Sequence, residues 1–116
     1  MPFKDWDEVA LAAECIFSTS AEPFSREAIE SARDVLATCR CTSPVPDDVD
    51  KGYWSTCCLF WGEFKFELEI CSEHVEVYQL EQPQLQVWYE QHTPGQDFSS
   101  RFLAELPKVS GAPDSM

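Results

Sequence analysis

The chain offers few residues for chemistry, and their spacing decides what they can do. His74 and His92 are its only histidines, and its six cysteines stand at positions 15, 39, 41, 57, 58 and 71. A Cys–His dyad or a carboxylate pair would serve nucleophilic or acid–base catalysis, but no spacing here asks for either. His74 falls in a turn and His92 follows a strand, positions at which a histidine is ordinarily surface. Cys39-Arg40-Cys41 and Cys57-Cys58 lack the C-x2-C spacing of structural zinc sites, and adjacent residues on a strand point to opposite faces. No G-x-S-x-G, P-loop, Gly-rich dinucleotide turn or H-E-x-x-H occurs. The residues predict no catalytic group, no metal, no cofactor and no enzyme.

Carboxylates are what the chain has in excess. Asp and Glu number 21 against 8 Lys and Arg, a formal net charge of -13 on 116 residues. The surplus is spread evenly, with 11 acids and 4 bases in residues 1–50 and 10 and 4 in residues 51–116, so no detachable tail accounts for it. Self-repulsion of this size works against the compact state and pays off only through the field it makes, which attracts a basic partner. The same field repels phosphate, which excludes direct nucleic-acid binding.

The elements that would position these residues are legible as periods. With 44% hydrophobic and 13% aromatic residues, the chain has the makings of a core. Trp6, Val9, Ala13 and Phe17 recur at helical intervals, giving a helix near 5–17 with acids in its first turn. Ser25 caps a second helix with Phe24 as its staple and a stripe of Ile29, Ala32, Leu36 and Cys39, ending near residues 39–41. The Pro- and Asp-rich segment to about Gly52 reads as a loop. Tyr53 to Trp61 is an apolar strand turning at Gly62-Glu63, and Phe64, Phe66, Leu68 and Ile70 alternate with polar residues in the next. Val75–Gln79 and Leu85–Tyr89 complete the strands, with turns at Ser72-Glu73 and Gln82-Pro83. Asp97 or Ser99 caps a last helix with Phe98, Phe102, Leu103 and Leu106 inward. The expected fold is α+β: two helices, a four-stranded antiparallel meander and a C-terminal helix, with the helices on one sheet face. Residues 1–107 form the domain and 108–116 a frayed tail.

No export signal or stretch of about 18 apolar residues appears, which predicts a soluble, cytoplasmic protein that does not bind membranes. In that setting the thiols are reduced, and Cys15, Cys39, Cys57 and Cys71 read as small core hydrophobes. If the aliphatic positions face the helices, the opposite face carries Lys65, Glu67, Glu69, Glu76, Tyr78, Gln86, Trp88 and Glu90, acidic and aromatic together. Glu67, Glu69, Glu76, Tyr78, Trp88 and Glu90 are the expected partner-binding set, with the loop acids Asp47, Asp48 and Asp50 beside them. The Glu27, Glu30, Asp34 ladder of the second helix is another acidic surface.

In size, charge and lack of catalytic residues the chain is similar in type to toxin immunity proteins and phage anti-CRISPR proteins. That similarity implies a non-enzymatic inhibitor that blocks a basic, nucleic-acid-handling partner such as a nuclease by placing carboxylates where phosphates would lie. The rival reading is a subunit module that forms a homodimer or complex through exposed Trp54, Trp61 and Trp88. A third is a cysteine-based metal or thiol protein.

Overall fold

Asp5 and Ser25 start the two long helices in the same way, with extended backbone and a side-chain oxygen accepting an amide three residues on, from Glu8 and Ala28 respectively. The computed structural model describes residues 3–52, 55–62, 65–81 and 84–107. Helix α1 runs Trp6–Thr19 and α2 Arg26–Thr42, each a little longer than its apolar period suggests. Val9, Ala13 and Phe17 of α1 are buried, and α2 buries Ala28, Ala32, Val35, Leu36 and Cys39, a stripe centred one position from the expected one. Phe24 packs against Phe17 with rings tilted and centroids 5.2 Å apart, and so closes the α1–α2 corner. Arg33 grips Glu14 bidentately at 2.8 Å and Arg40 pairs with Asp7 at 2.9 Å, both pairs on the solvent side of the helices.

Five strands follow: β1 Asp48–Lys51, β2 Cys57–Trp61, β3 Phe66–Ile70, β4 His74–Glu81 and β5 Gln84–Gln91, in antiparallel order β1-β2-β3-β4-β5. The fold is α+β, with one strand more than expected. The extra strand, β1, lies in the segment read as a loop. Its composition is poor for a strand, but Val49 drops into the core opposite Leu59 while Asp47 N–H bonds Phe60 O at 2.7 Å. Trp61 Nε1 donates to Pro44 O at 2.9 Å and Trp6 Nε1 to Ser43 O at 3.3 Å, so two indoles fix the chain that leads into β1.

Cys57, Leu59, Trp61, Leu68, Ile70, Val75 and Val77 fill the sheet face under α1 and α2. The short helix α3, Ser100–Glu105, is capped by Ser99 and covers the β5 end of the same face. Phe102 and Leu106 are buried there, whereas Leu103, expected inward, is exposed. The β2–β3 connection is longer than the expected two residues. Trp61 pairs with Phe66, and Lys65 sits in the turn rather than on the ladder. Gly62 enters that turn at φ +63°, a backbone that glycine adopts without strain. The expectations for Tyr53, Trp54, Glu63, Phe64, the Gln82-Pro83 turn and the 108–116 tail fall outside the described residues.

Candidate functional site

Among the described residues no helix covers the other face of the sheet, and the register arranges its side chains in rows. One row crosses Asp50, Cys58, Glu69, Glu76 and Tyr89; the next crosses Asp48, Phe60, Glu67, Tyr78 and Val87. Beyond them His74 stands opposite Gln91, and Leu80 opposite Leu85. Each row therefore grades from acidic on β1 and β3, and in the first row also on β4, to apolar on β5. Leu85, Val87 and Tyr89 are 59%, 46% and 62% exposed, a hydrophobic strip on an edge strand.

Glu67, Glu69, Glu76 and Tyr78 are brought together as the sequence suggests. Trp88 and Glu90 are not. They belong to the helix side, because Val77 pairs with Trp88 and Val75 with Glu90. Trp88 lies between Phe102, edge-on at 6.5 Å, and the Arg101 guanidinium, 4.0 Å over its ring, and donates Nε1–H to Gln79 Oε1 at 2.7 Å. Glu90 is buried, accepting Ser99 N–H at 2.6 Å and Ser99 Oγ–H at 2.7 Å. Gln86, opposite Gln79, also turns to that side. Trp61 is buried, so the indoles at 61 and 88 form no exposed aromatic interface. Asp48 and Asp50 do face outward from β1, whereas Asp47 holds the Gly62 amide and shapes the turn.

Charge on the open face is crowded. Glu69 stands directly opposite Glu76, and like charges in that position repel. Partial burial raises the Glu67 carboxyl above its ordinary value, and Glu69 and Glu76 raise it further. Glu76 is held below the ordinary value by the hydrogen bond from Tyr78 Oη, 2.6 Å, and by His74. The same bond raises the Tyr78 phenol. Glu69 accepts Thr56 Oγ–H at 2.7 Å, and a Cβ at Gly52 would run into both groups.

A raised folded-state value means that Glu67 favours folding while it holds its proton and opposes folding once ionised. Glu67→Gln is therefore expected to stabilise the protein by about 0.5 kcal/mol near pH 7, a figure discounted for solvent screening. The gain should vanish as the pH falls below the ordinary glutamate value and both states protonate. Urea unfolding of the two proteins across that range is the check, and a gain that persists in acid would refute it.

The cysteines divide by burial. Cys39, Cys57 and Cys58 are buried, and desolvation pushes Cys39 and Cys57 up to about 12. Cys15, expected in the core, is exposed, as is Cys41. Cys71 lies half-buried beside His74 and Glu76; burial, then Glu69 and Glu76, push its thiol up to about 12. These three residues form a cluster with all donor atoms within 4.8 Å of one another. Motif scanning by C-x2-C spacing passes over it. Its signal is C-x2-H-x-E across a two-residue hairpin turn, which sets the first two residues opposite each other and the third on the same face.

His92 is deeply buried instead of lying on the surface. Its Nε2 is 3.1 Å from Asp34 Oδ2, which also accepts Gly95 N–H at 2.9 Å, and its ring stacks on Phe98 at 4.1 Å. These contacts tie residues 92–98 to α2, and Asp34 thereby leaves the acidic ladder, as Glu30 does by pairing with Arg26 at 3.2 Å.

No described helix is long and apolar enough to cross a membrane. Comparison with protein-family models, with curated proteins and with solved structures gave no match.

Proposed function

We propose that this protein is a non-enzymatic binding protein that docks a basic protein partner on the uncovered face of its sheet and thereby inhibits it. The observation that carries this reading is the Glu67, Glu69, Glu76 group: partial burial first and then repulsion from the other two carboxylates raise Glu67, and a partner's Lys or Arg would relieve that repulsion. Leu85, Val87 and Tyr89 lie in the same rows and supply apolar area that a charged surface alone lacks. Steering by the acids and burial of the strip would together give fast, durable association. The finer form of the proposal takes the partner to be a nuclease or another nucleic-acid-handling protein, with carboxylates occupying its phosphate sites.

The test is affinity capture with the purified protein and with the Glu67→Lys/Glu69→Lys/Glu76→Lys variant, followed by association kinetics on the retained partner. One basic nucleic-acid-binding protein should be held by the parent and lost by the variant. Its on-rate should fall roughly ten- to a hundredfold between low salt and about 0.5 M. A partner whose binding ignores both salt and the three substitutions would overturn the proposal.

A second reading rests on the β5 strip alone, which suits pairing of two copies of the chain. Sedimentation at about 0.5 M salt separates the two readings, because apolar association survives that screening. A dimer there, abolished by Val87→Lys, would favour self-association.

A further inference from the structure

We propose that Cys71, His74 and Glu76 bind a zinc-type divalent metal ion on the open face of the β3–β4 hairpin, with one coordination position left to solvent. The hairpin builds the site. Ser72 and Glu73 make the turn, and Cys71 N–H bonds His74 O at 2.9 Å, so residues 71 and 74 flank the turn as cross-strand neighbours. Glu76 follows two positions along β4 and so points to the same side as His74. The resulting donors are one sulfur, one nitrogen and one oxygen, with His74 Nε2 and Glu76 Oε2 already 3.2 Å apart.

Zinc bonds of about 2.3 Å to sulfur and about 2.0–2.2 Å to nitrogen and oxygen place tetrahedral ligands roughly 3.3–3.7 Å apart. The His74–Glu76 pair has nearly this separation. The widest separation in the cluster, 4.8 Å at most, closes with a shift of about 1 Å in the thiol, a side-chain adjustment that needs no backbone movement. Supporting contacts hold the donors in place. Tyr78 Oη–H binds Glu76 Oε1 and leaves Oε2 turned to His74, while the Tyr89 ring meets the imidazole edge-on at 5.5 Å. Cys71 Sγ makes only a long 3.9 Å contact to Glu69 O, which does not compete with a metal. Mixed sulfur, nitrogen and oxygen donors select zinc, cobalt or copper over magnesium and calcium, whose sites are built of oxygen. An ordinary ion pair accounts for His74 and Glu76, but it gives no reason for a thiol to complete the triangle.

The site shares Glu76 with the proposed docking face, but its test uses the metal alone and needs no partner, so the failure of one reading is distinguishable from the failure of the other. Full-length protein carrying Cys15→Ser and Cys41→Ser, to remove the exposed thiols, is stripped with chelator and titrated with Co2+. One equivalent should bind with a near-ultraviolet thiolate-to-cobalt charge-transfer band, and Zn2+ should displace it. Cys71→Ser should abolish the band, and His74→Ala and Glu76→Gln should each weaken binding at least about tenfold. Zn2+ should also raise the thermal midpoint of the parent and not that of Cys71→Ser. If Cys71→Ser fails to hold its fold by circular dichroism, His74→Ala, a change at a partly exposed ring, carries the decision. Absence of the band, or a band that survives Cys71→Ser or His74→Ala at full affinity, would overturn the proposal.

Discussion

Glu90→Ala is expected to lower folding stability by about 3 kcal/mol and to leave association with a basic partner unchanged. The carboxylate is only 5% exposed, and both its oxygens accept from Ser99. Ser99 in turn caps α3, its Oγ accepting Phe102 N–H at 3.1 Å. Hydrogen bonds to a charged group are worth about 1.5–3 kcal/mol, and the substitution removes two of them, from Ser99 N–H and Ser99 Oγ–H. The loss should concentrate in the C-terminal segment. Amide hydrogen exchange at Phe102 and Leu103 should accelerate before the sheet opens, because α3 is held to β5 by this link and by the contacts of Phe102 and Arg101 with the Trp88 ring. Chemical unfolding and hydrogen exchange on the same variant make the check. A change of under about 1 kcal/mol, or a partner affinity that falls with it, would return Glu90 to the binding surface.

Leu68→Ala should cost about 3–4 kcal/mol, the middle of the range for fully buried leucines. Leu68 is 0% exposed at the centre of the sheet, opposite Leu59 on β2 and Val77 on β4. Two strands flank the position and α2 packs over β3, so the walls have little freedom to collapse into the void. Its two sequence neighbours, Glu67 and Glu69, point to the open face. The substitution therefore tests how far the acidic group depends on the core beneath it. A variant that remains folded should still show salt-sensitive association, because register along β3 is held by the ladder. Denaturant unfolding gives the first quantity and association kinetics the second.

How much of this the sequence shows depends on whether one period governs each segment. Phe66, Leu68 and Ile70 alternate with Glu67 and Glu69, and the strand lies as the alternation predicts. In β5 both parities carry apolar residues, Leu85, Val87 and Tyr89 on one and Trp88 on the other, so the count of hydrophobics selects the wrong face. Turn length decides the matter. With Glu81 paired to Gln84, Val77 must meet Trp88, and any strand whose Val75 and Val77 face the core carries Trp88 and Glu90 with them. The buried carboxylate is then satisfied by Ser99, a contact that no local pattern contains. β1 is opaque for the opposite reason. Asp48-Val49-Asp50-Lys51 has one apolar residue, and its pairing comes from β2 and from the indole hydrogen bonds that deliver the chain to it. The Cys71, His74, Glu76 triangle needed the hairpin turn and the strand faces read together, both of which the sequence provides.

The two borders of the sheet differ, and the difference limits stoichiometry. β1 is four residues long with two outward carboxylates, whereas β5 is eight residues long with an apolar strip. Two β5 borders can pair about a twofold axis and close, but a β5 border pairing with a β1 border would leave a free end on each side and propagate into a filament. A short, doubly negative border offers few ladder bonds and repels further copies of a chain whose charge is -13. Were copies to associate through their sheets, growth would therefore terminate at the pair and would not seed fibres.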